Sequence, residues 1–385
     1  MNIFFSVGEP SGDQHAAALI GELRRRRPGI ELSGFGGPLM AEAGCRLLYR
    51  LTDLAVMGFV RVVPLLARFY RLVKRAERYF AETPPDAVVL VDFPGFNWWI
   101  ARKARAAGIP VIYYLPPQLW AWAPWRIRKV RRDIDHVLCG LPFEQDWYSR
   151  RGVSCEYVGH PFFDEVSGRR LDESFVDECR RGPGPVVGLL PGSRSHEVTL
   201  NWPVLAGVAE QLGRRHPGTR FLVAAFDDLQ HDLCRSAAAG TSIPFEFHVG
   251  RTSEIIEAAD ACLMVSGSVS LEMLARATPA VVVYRARRSM STICSVMVTC
   301  RFMSLPNLFA DEELLPEFPF AGNPARTVER ITGIFDRWLA DPESRQQLRD
   351  RLDDLYNSVV THGASAKTAE AILGRLETFT ARRAA

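Results

Sequence analysis

The chain has no CxxC pair, although eight cysteines are spread along its 385 residues. That absence argues against a zinc cluster or a disulfide framework. It favours reduced thiols inside a cytoplasmic protein, as in HVLCG around Cys139 and ACLMV around Cys262. No run of about 18 uncharged apolar residues occurs, so no membrane-spanning helix is expected. The opening NIFFSVGEPSGD has no basic start and reaches Glu9 too early for a secretory leader. A Walker-type G-x-x-x-x-G-K-S/T loop is missing, and the turn after the first apolar run, GEPSGD, does not supply G-x-G-x-x-G. Net charge is only +3, so bulk electrostatics do not point to nucleic acid. No acidic cluster is read as a divalent-metal site, and neither metal nor cofactor is expected.

What is present is a rhythm. Apolar runs (IFFSVG, ELSGFGG, AVVLVD, PVIYYL, HVLCG, CEYVG) alternate with helical patterns up to Gly159. Near-continuous apolar runs suit strands buried on both faces of a parallel sheet, and their alternation with helices implies a doubly wound α/β fold. The segment 166–184 carries no strand signal, and its Gly-Pro cluster reads as a linker. The alternation then restarts with PVVGLLPG, RFLVAAF, PFEFHV, ACLMVSG and PAVVVYR. The expected organisation is a first domain over 1–165, the linker, and a second domain over 185–325. Helices over 326–385 either return to the first domain or exchange with a second subunit. Both domains are expected to be Rossmann-like and to face a cleft, with ligands at the C-terminal ends of their strands.

Four stretches carry candidate chemistry. In LLPGSR, Gly192, Ser193 and Arg194 lead a strand into a helix, an arrangement suited to a diphosphate; an ordinary capped turn is the alternative. In VSGSVSLE, Ser266, Gly267 and Ser268 repeat that pattern. Glu272 either receives a ribose diol or completes a capping box. Asp92, at the end of AVVLVD, faces the crevice as a general base or serves its own loop. His160, in YVGHP, either contacts a phosphate or caps a loop. Two further stretches bear on surfaces. PPQLWAWAPWRIRKVRR sets Trp120 and Trp122 beside a basic run, which allows stacking on sugars, bases or lipid, or a core–surface boundary. From about Pro64 a helix is predicted with Val62, Leu65, Leu66, Phe69, Val73 and Ala76 on one face. Arg61, Arg68, Arg71, Lys74, Arg75 and Arg78 lie on the other. Such a helix packs on a sheet or lies on an anionic membrane.

Taken together, GEPSGD, FGGP, AVMG, PPQLWAW, LPFE, VGHP, LLPGSR, SGSVSLE and SLPN, in that order, resemble the lipid-A-disaccharide synthase family along nearly the whole chain. The resemblance implies an inverting glycosyltransferase of the two-Rossmann-domain (GT-B) type. Its donor would be UDP-2,3-diacylglucosamine and its acceptor 2,3-diacylglucosamine 1-phosphate (lipid X). The products would be a β-1,6 disaccharide 1-phosphate and UDP, made at the inner face of the cytoplasmic membrane. It further implies that Ser193 and Arg194 grip the diphosphate, that Ser268 serves the phosphate side, and that Glu272 holds the ribose. Asp92 becomes the base with Glu9 as runner-up, Ser11, Gln118 and His160 fall on the acceptor side, and Asn307 takes a place in the donor site. Arg68, Phe69, Arg71, Arg75, Trp120 and Trp122 become membrane contacts, and a homodimer is possible. The chain departs from the pattern at Gly95, where some members carry a second acid, and in the GEPSGD and PPQLWAW variants. The alternatives are a UDP-N-acetylglucosamine 2-epimerase, a peptidoglycan glucosaminyltransferase, or a nucleotide-sugar-binding protein without turnover.

Overall fold

The computed structural model describes residues 1–54, 66–286 and 298–384. The chain divides into two compact units, Met1–Asp164 with Thr361–Ala385, and Glu165–Val360.

The first unit is built on β1 (Asn2–Val7), β2 (Glu31–Gly36), β3 (Arg46–Arg50), β4 (Ala87–Val91), β5 (Val111–Tyr114), β6 (His136–Cys139) and β7 (Cys155–Tyr157). They form one parallel sheet in the order β3-β2-β1-β4-β5-β6-β7. Alternate side chains supply opposite faces, as the pleat requires. Phe4, Val88 and Leu90 join the helices Leu66–Glu82 and Pro94–Ala106. Ile3, Phe5, Val89 and Val91 join Leu19 and Leu23 of the helix Pro10–Arg26. The second core is completed by Ala369, Ile372 and Leu376 of the last helix, Ala364–Ala384. Asp164 anchors that helix by accepting N–H bonds from Gly363 and Ala364. Of the C-terminal helices, this one alone lies in the first unit; Ala325–Ala340 and Pro342–Val359 stay with the second.

The second unit repeats the plan with β8 (Val186–Leu190), β9 (Arg220–Ala225), β10 (Phe245–Val249), β11 (Ala261–Val265), β12 (Ala280–Arg285) and β13 (Glu317–Phe320). Its parallel order is β10-β9-β8-β11-β12-β13. The segment expected as a linker contains the helix Glu173–Arg180. Asp172 caps it by accepting from the Phe175 N–H, and the Arg251 guanidinium pairs with the same carboxylate. Its own Val176 and Cys179 are buried, so this stretch is folded into the second unit.

The basic amphipathic helix is described from Leu66 to Glu82. Residues 55–65, including Arg61, Val62, Pro64 and Leu65 of the expected pattern, lie outside the described residues. Val73, Ala76, Leu72 and Phe80 are buried against the sheet, and Phe69 packs its ring on Phe96 at 5.6 Å. This corrects the reading of Phe69 as a membrane contact: its ring faces the protein's own core. Leu66, expected on the apolar face, is instead 56% exposed, while Arg68, Arg71 and Arg75 are exposed as expected.

Candidate active site

Each sheet reverses its strand order once, between β1 and β4 in the first unit and between β8 and β11 in the second. In open α/β sheets the crevice at that reversal receives the ligand. All four strands there end in a feature noted above: β1 in GEPSGD, β4 in Asp92, β8 in PGSR and β11 in SGS.

At the end of β4, Asp92 and Phe93 both hold the left-handed backbone conformation, each with φ of 45°. For non-glycine residues this costs about 1–2 kcal/mol each. The surroundings hold the turn in place. The Asp92 carbonyl accepts from Asn97 Nδ2 at 2.7 Å and from the Tyr113 hydroxyl at 2.8 Å. Asn97, fully buried, also donates to the carbonyls of Ser6 and Val91 and accepts from Ser6 Oγ at 2.7 Å. Phe93 is laid over Gly8, where a Cβ would come within 2.1 Å of the ring. Burial pushes the Asp92 carboxyl above the ordinary carboxylate range, against the pull of the Phe93 N–H and of nearby His15.

Glu9 caps the helix Pro10–Arg26 through its backbone, and its side chain is half-buried; Ser11 is exposed on the first turn. Asp13, which sequence reasoning passed over, is buried and accepts N–H bonds from Gly37, Leu39 and Met40. It thereby ties the GEPSGD turn to FGGP. His15, also passed over, lies edge-on to His160 with ring centroids 6.0 Å apart. His160 Nδ1 accepts from the Phe162 N–H, and burial lowers its basicity to a pKa of about 3, so its imidazole is neutral. Gln118 is exposed, and its carbonyl closes the turn to Ala121 and Trp122.

In the second unit Gly192 has φ of 106°, and Ser193 and Arg194 are exposed at the start of the helix Ser195–Arg215. Arg194 Nη1 is held by Glu197 Oε1 at 2.9 Å, and Gln230 Nε2 fixes the turn by donating to the Ser193 carbonyl at 3.0 Å. Across the reversal, Gly267 and Ser268 are exposed, and the Ser268 hydroxyl makes no capping bond. Ser266 Oγ donates to the Met303 carbonyl. Glu272 is buried: Oε1 accepts from Arg276 Nε at 3.1 Å, and Oε2 lies 3.9 Å from Arg169 Nη1.

Two expected contacts are corrected. Asn307 is fully buried, and its amide is saturated within the protein. Nδ2 donates to the Leu315 carbonyl and to Glu317 Oε1, and Oδ1 accepts from the N–H groups of Leu314 and Leu315. It braces the loop before β13 and has no polar group left for a nucleotide. Glu317 is the hub of that brace, accepting also from Met303 and from both the N–H and the hydroxyl of Ser304. Trp120, expected at the membrane, is buried, with its ring against Phe143 and its N–H on Glu144. Trp122 is 43% exposed beneath the Arg126 guanidinium.

Among the described residues no group of three His, Cys, Asp or Glu side chains is arranged to hold a metal. Asp133 and Asp135 flank Ile134, but they serve Arg132 and, respectively, Arg105 with the Val111 N–H. No helix among the described residues is long and apolar enough to cross a membrane.

Two doubly wound sheets, each with Gly- and Ser-bearing or acidic turns at its strand reversal, define a protein of the GT-B fold. Solved structures share that fold. An S. aureus MnaA–UDP co-structure superposes with a TM-score of 0.66 at 10% identity, covering 98% of this chain and 96% of that one. Acinetobacter baumannii MurG does so at 0.59 and 14%, covering 97% and 99%. Sequence comparison is more specific. The Lipid-A-disaccharide synthetase family model matches residues 3–329. The lipid-A-disaccharide synthase of Myxococcus xanthus is 34% identical over 372 residues, 96% of each chain, and that of Alkalilimnicola ehrlichii is 34% identical over 381. The chain belongs to the lipid-A-disaccharide synthase family.

Proposed function

We propose that this chain transfers 2,3-diacylglucosamine from its UDP derivative to the 6-hydroxyl of 2,3-diacylglucosamine 1-phosphate, with inversion. The observation that carries the reading is the pairing of motif turns at both strand reversals. A carboxylate stands at one, and hydroxyls with a guanidinium stand at the other. Asp92 takes the hydroxyl proton as the oxygen attacks the anomeric carbon from the face opposite the diphosphate. The bond from that carbon to the diphosphate oxygen breaks, and UDP leaves with its added negative charge. Arg194, Ser193, Ser268 and the N–H groups opening the helix Ser195–Arg215 meet that charge. Glu272 receives the ribose through Oε2, while Arg276 occupies Oε1. Glu9, Ser11, Gln118 and His160 line the acceptor side.

The acceptor and donor carry acyl chains, which supports a peripheral position on the inner face of the cytoplasmic membrane. Arg68, Arg71, Arg75 and Trp122 are the exposed groups suited to that surface. A homodimer is part of the same reading. The test is UDP release with synthetic donor and acceptor, followed by mass spectrometry of the lipid, for the wild type and Asp92→Asn. The expected outcome is a disaccharide 1-phosphate from the wild type and a loss of at least about a hundredfold in the variant. Tight nucleotide retention without release would instead identify a binding protein, and epimerised sugar an epimerase.

A further inference from the structure

We propose that Ser6, Asn97 and Tyr113 form a clamp that positions the Asp92 carboxylate, an inference that rests on Asp92 being the base. Three strands meet in it. Ser6 lies on β1, Asp92 ends β4, Tyr113 lies on the neighbouring β5, and Asn97 reaches back from the first turn of the helix Pro94–Ala106. The only element of Asp92 that this clamp touches is its backbone carbonyl, which takes two short bonds at once, from Asn97 Nδ2 and the Tyr113 hydroxyl. Two donors on one carbonyl oxygen fix the rotation of the peptide that follows, and so fix the direction in which the Asp92 side chain leaves the backbone.

The clamp holds a conformation that the chain would otherwise abandon. Consecutive left-handed residues that are neither glycine nor asparagine need an external restraint. An amide serving four partners from a fully buried position supplies it. Ser6 orients that amide: its hydroxyl donates to Oδ1, which leaves Nδ2 pointing at the three carbonyls. Burial pushes the Tyr113 phenol well above its usual range, with the Asp92 charge acting in the same direction, so the hydroxyl remains a donor at every working pH. The arrangement is the one a strand-to-helix elbow uses to raise a reactive side chain above a sheet. A carboxylate so held stays half-buried, and that burial raises its proton affinity. His15 and Tyr113 are the titratable groups coupled to it, and Glu9 and Arg126 act in turn on Tyr113.

The test compares Tyr113→Phe, Ser6→Ala and Asp92→Asn for kcat, KM and the pH profile of kcat, with UDP binding and circular dichroism as the check on folding. In Tyr113→Phe, kcat is expected to fall about tenfold with both KM values held within about twofold, as for a displaced catalytic group. The acid limb of kcat is expected to move to lower pH, because a loosened carboxylate gains water. Ser6→Ala, which removes less, should shift both quantities in the same direction, and it carries the test if Tyr113→Phe does not fold. Wild-type kcat and an unmoved acid limb in both clamp variants, beside an inactive Asp92→Asn, would overturn the clamp and leave the base assignment standing. A fall in thermal stability with no shift of the acid limb would also overturn it. Wild-type turnover by Asp92→Asn would remove the base, and the clamp with it.

Discussion

The indole N–H of Trp120 donates to Oε1 of Glu144 at 2.8 Å, and both side chains are buried. The other carboxylate oxygen accepts from the Leu141 N–H. These donors favour the anion, but burial outweighs them and pushes the carboxyl up to about 7. The folded state therefore holds a proton that the unfolded chain releases near 4.5. Stability from this group is full below that value and is lost as pH rises through about 7, a swing on the order of 3 kcal/mol. Denaturant unfolding between pH 5 and 8 should show this slope in the wild type and a flatter one in Glu144→Gln; equal slopes would contradict it.

The bracing role of Asn307 separates cleanly from a ligand role. Asn307→Ala leaves the N–H groups of Leu314 and Leu315 and the Leu315 carbonyl without their side-chain partner and removes one donor from Glu317, and should destabilise the second unit by about 2–4 kcal/mol. Thermal unfolding with and without UDP measures it. A variant with unchanged stability and selectively weakened UDP binding would return Asn307 to the donor site.

Arg194, held by Glu197, is the proposed diphosphate contact. Arg194→Ala should weaken UDP binding by about tenfold or more, the worth of a charge-assisted contact. Calorimetric titration gives the number, and an unchanged dissociation constant would take the diphosphate elsewhere.

Gly8 lies under the Phe93 ring. Gly8→Ala should depress turnover by displacing that ring and the Asp92 turn with it. Adding Phe93→Ala should restore folding stability to the Gly8→Ala protein, because the clash is removed. A single variant with wild-type stability and kcat would show that the ring yields without effect.

Replacing Arg68, Arg71 and Arg75 together by Gln should lower co-sedimentation with anionic vesicles by roughly a hundredfold at low salt, at about 1 kcal/mol per charge. The loss should shrink as salt is raised. Binding indifferent to both salt and substitution would place the membrane contact on another surface.

The central strands were legible because burial on both faces writes them as continuous apolar runs, as in Ala87–Val91. Two of the four edge strands were not. Arg46–Arg50 is half-buried and charged at both ends, and Glu317–Phe320 carries a proline and only four residues. The helix Glu173–Arg180 was passed over because its Gly-Pro flank dominated the pattern. Motif turns were legible at all four reversal strands, since glycine, serine and acidic residues at strand ends are a local signal. What their polar atoms touch is not local. Asn307 spends its amide on Leu314, Leu315 and Glu317, beyond the end of its own helix, and the letter alone does not show it. Tyr113 bonds a carbonyl 21 residues away and Asp13 an N–H 24 residues away, so neither announced its task.

The closing helix Ala364–Ala384 makes the second unit an insertion within the first. The first unit is consequently closed only by chain that follows the whole of the second. Until Ile372 and Leu376 emerge, Leu19, Ile20 and Leu23 have no cover on that flank. A chain stalled at 360 would hold a completed second unit while the first still exposes a greasy seam.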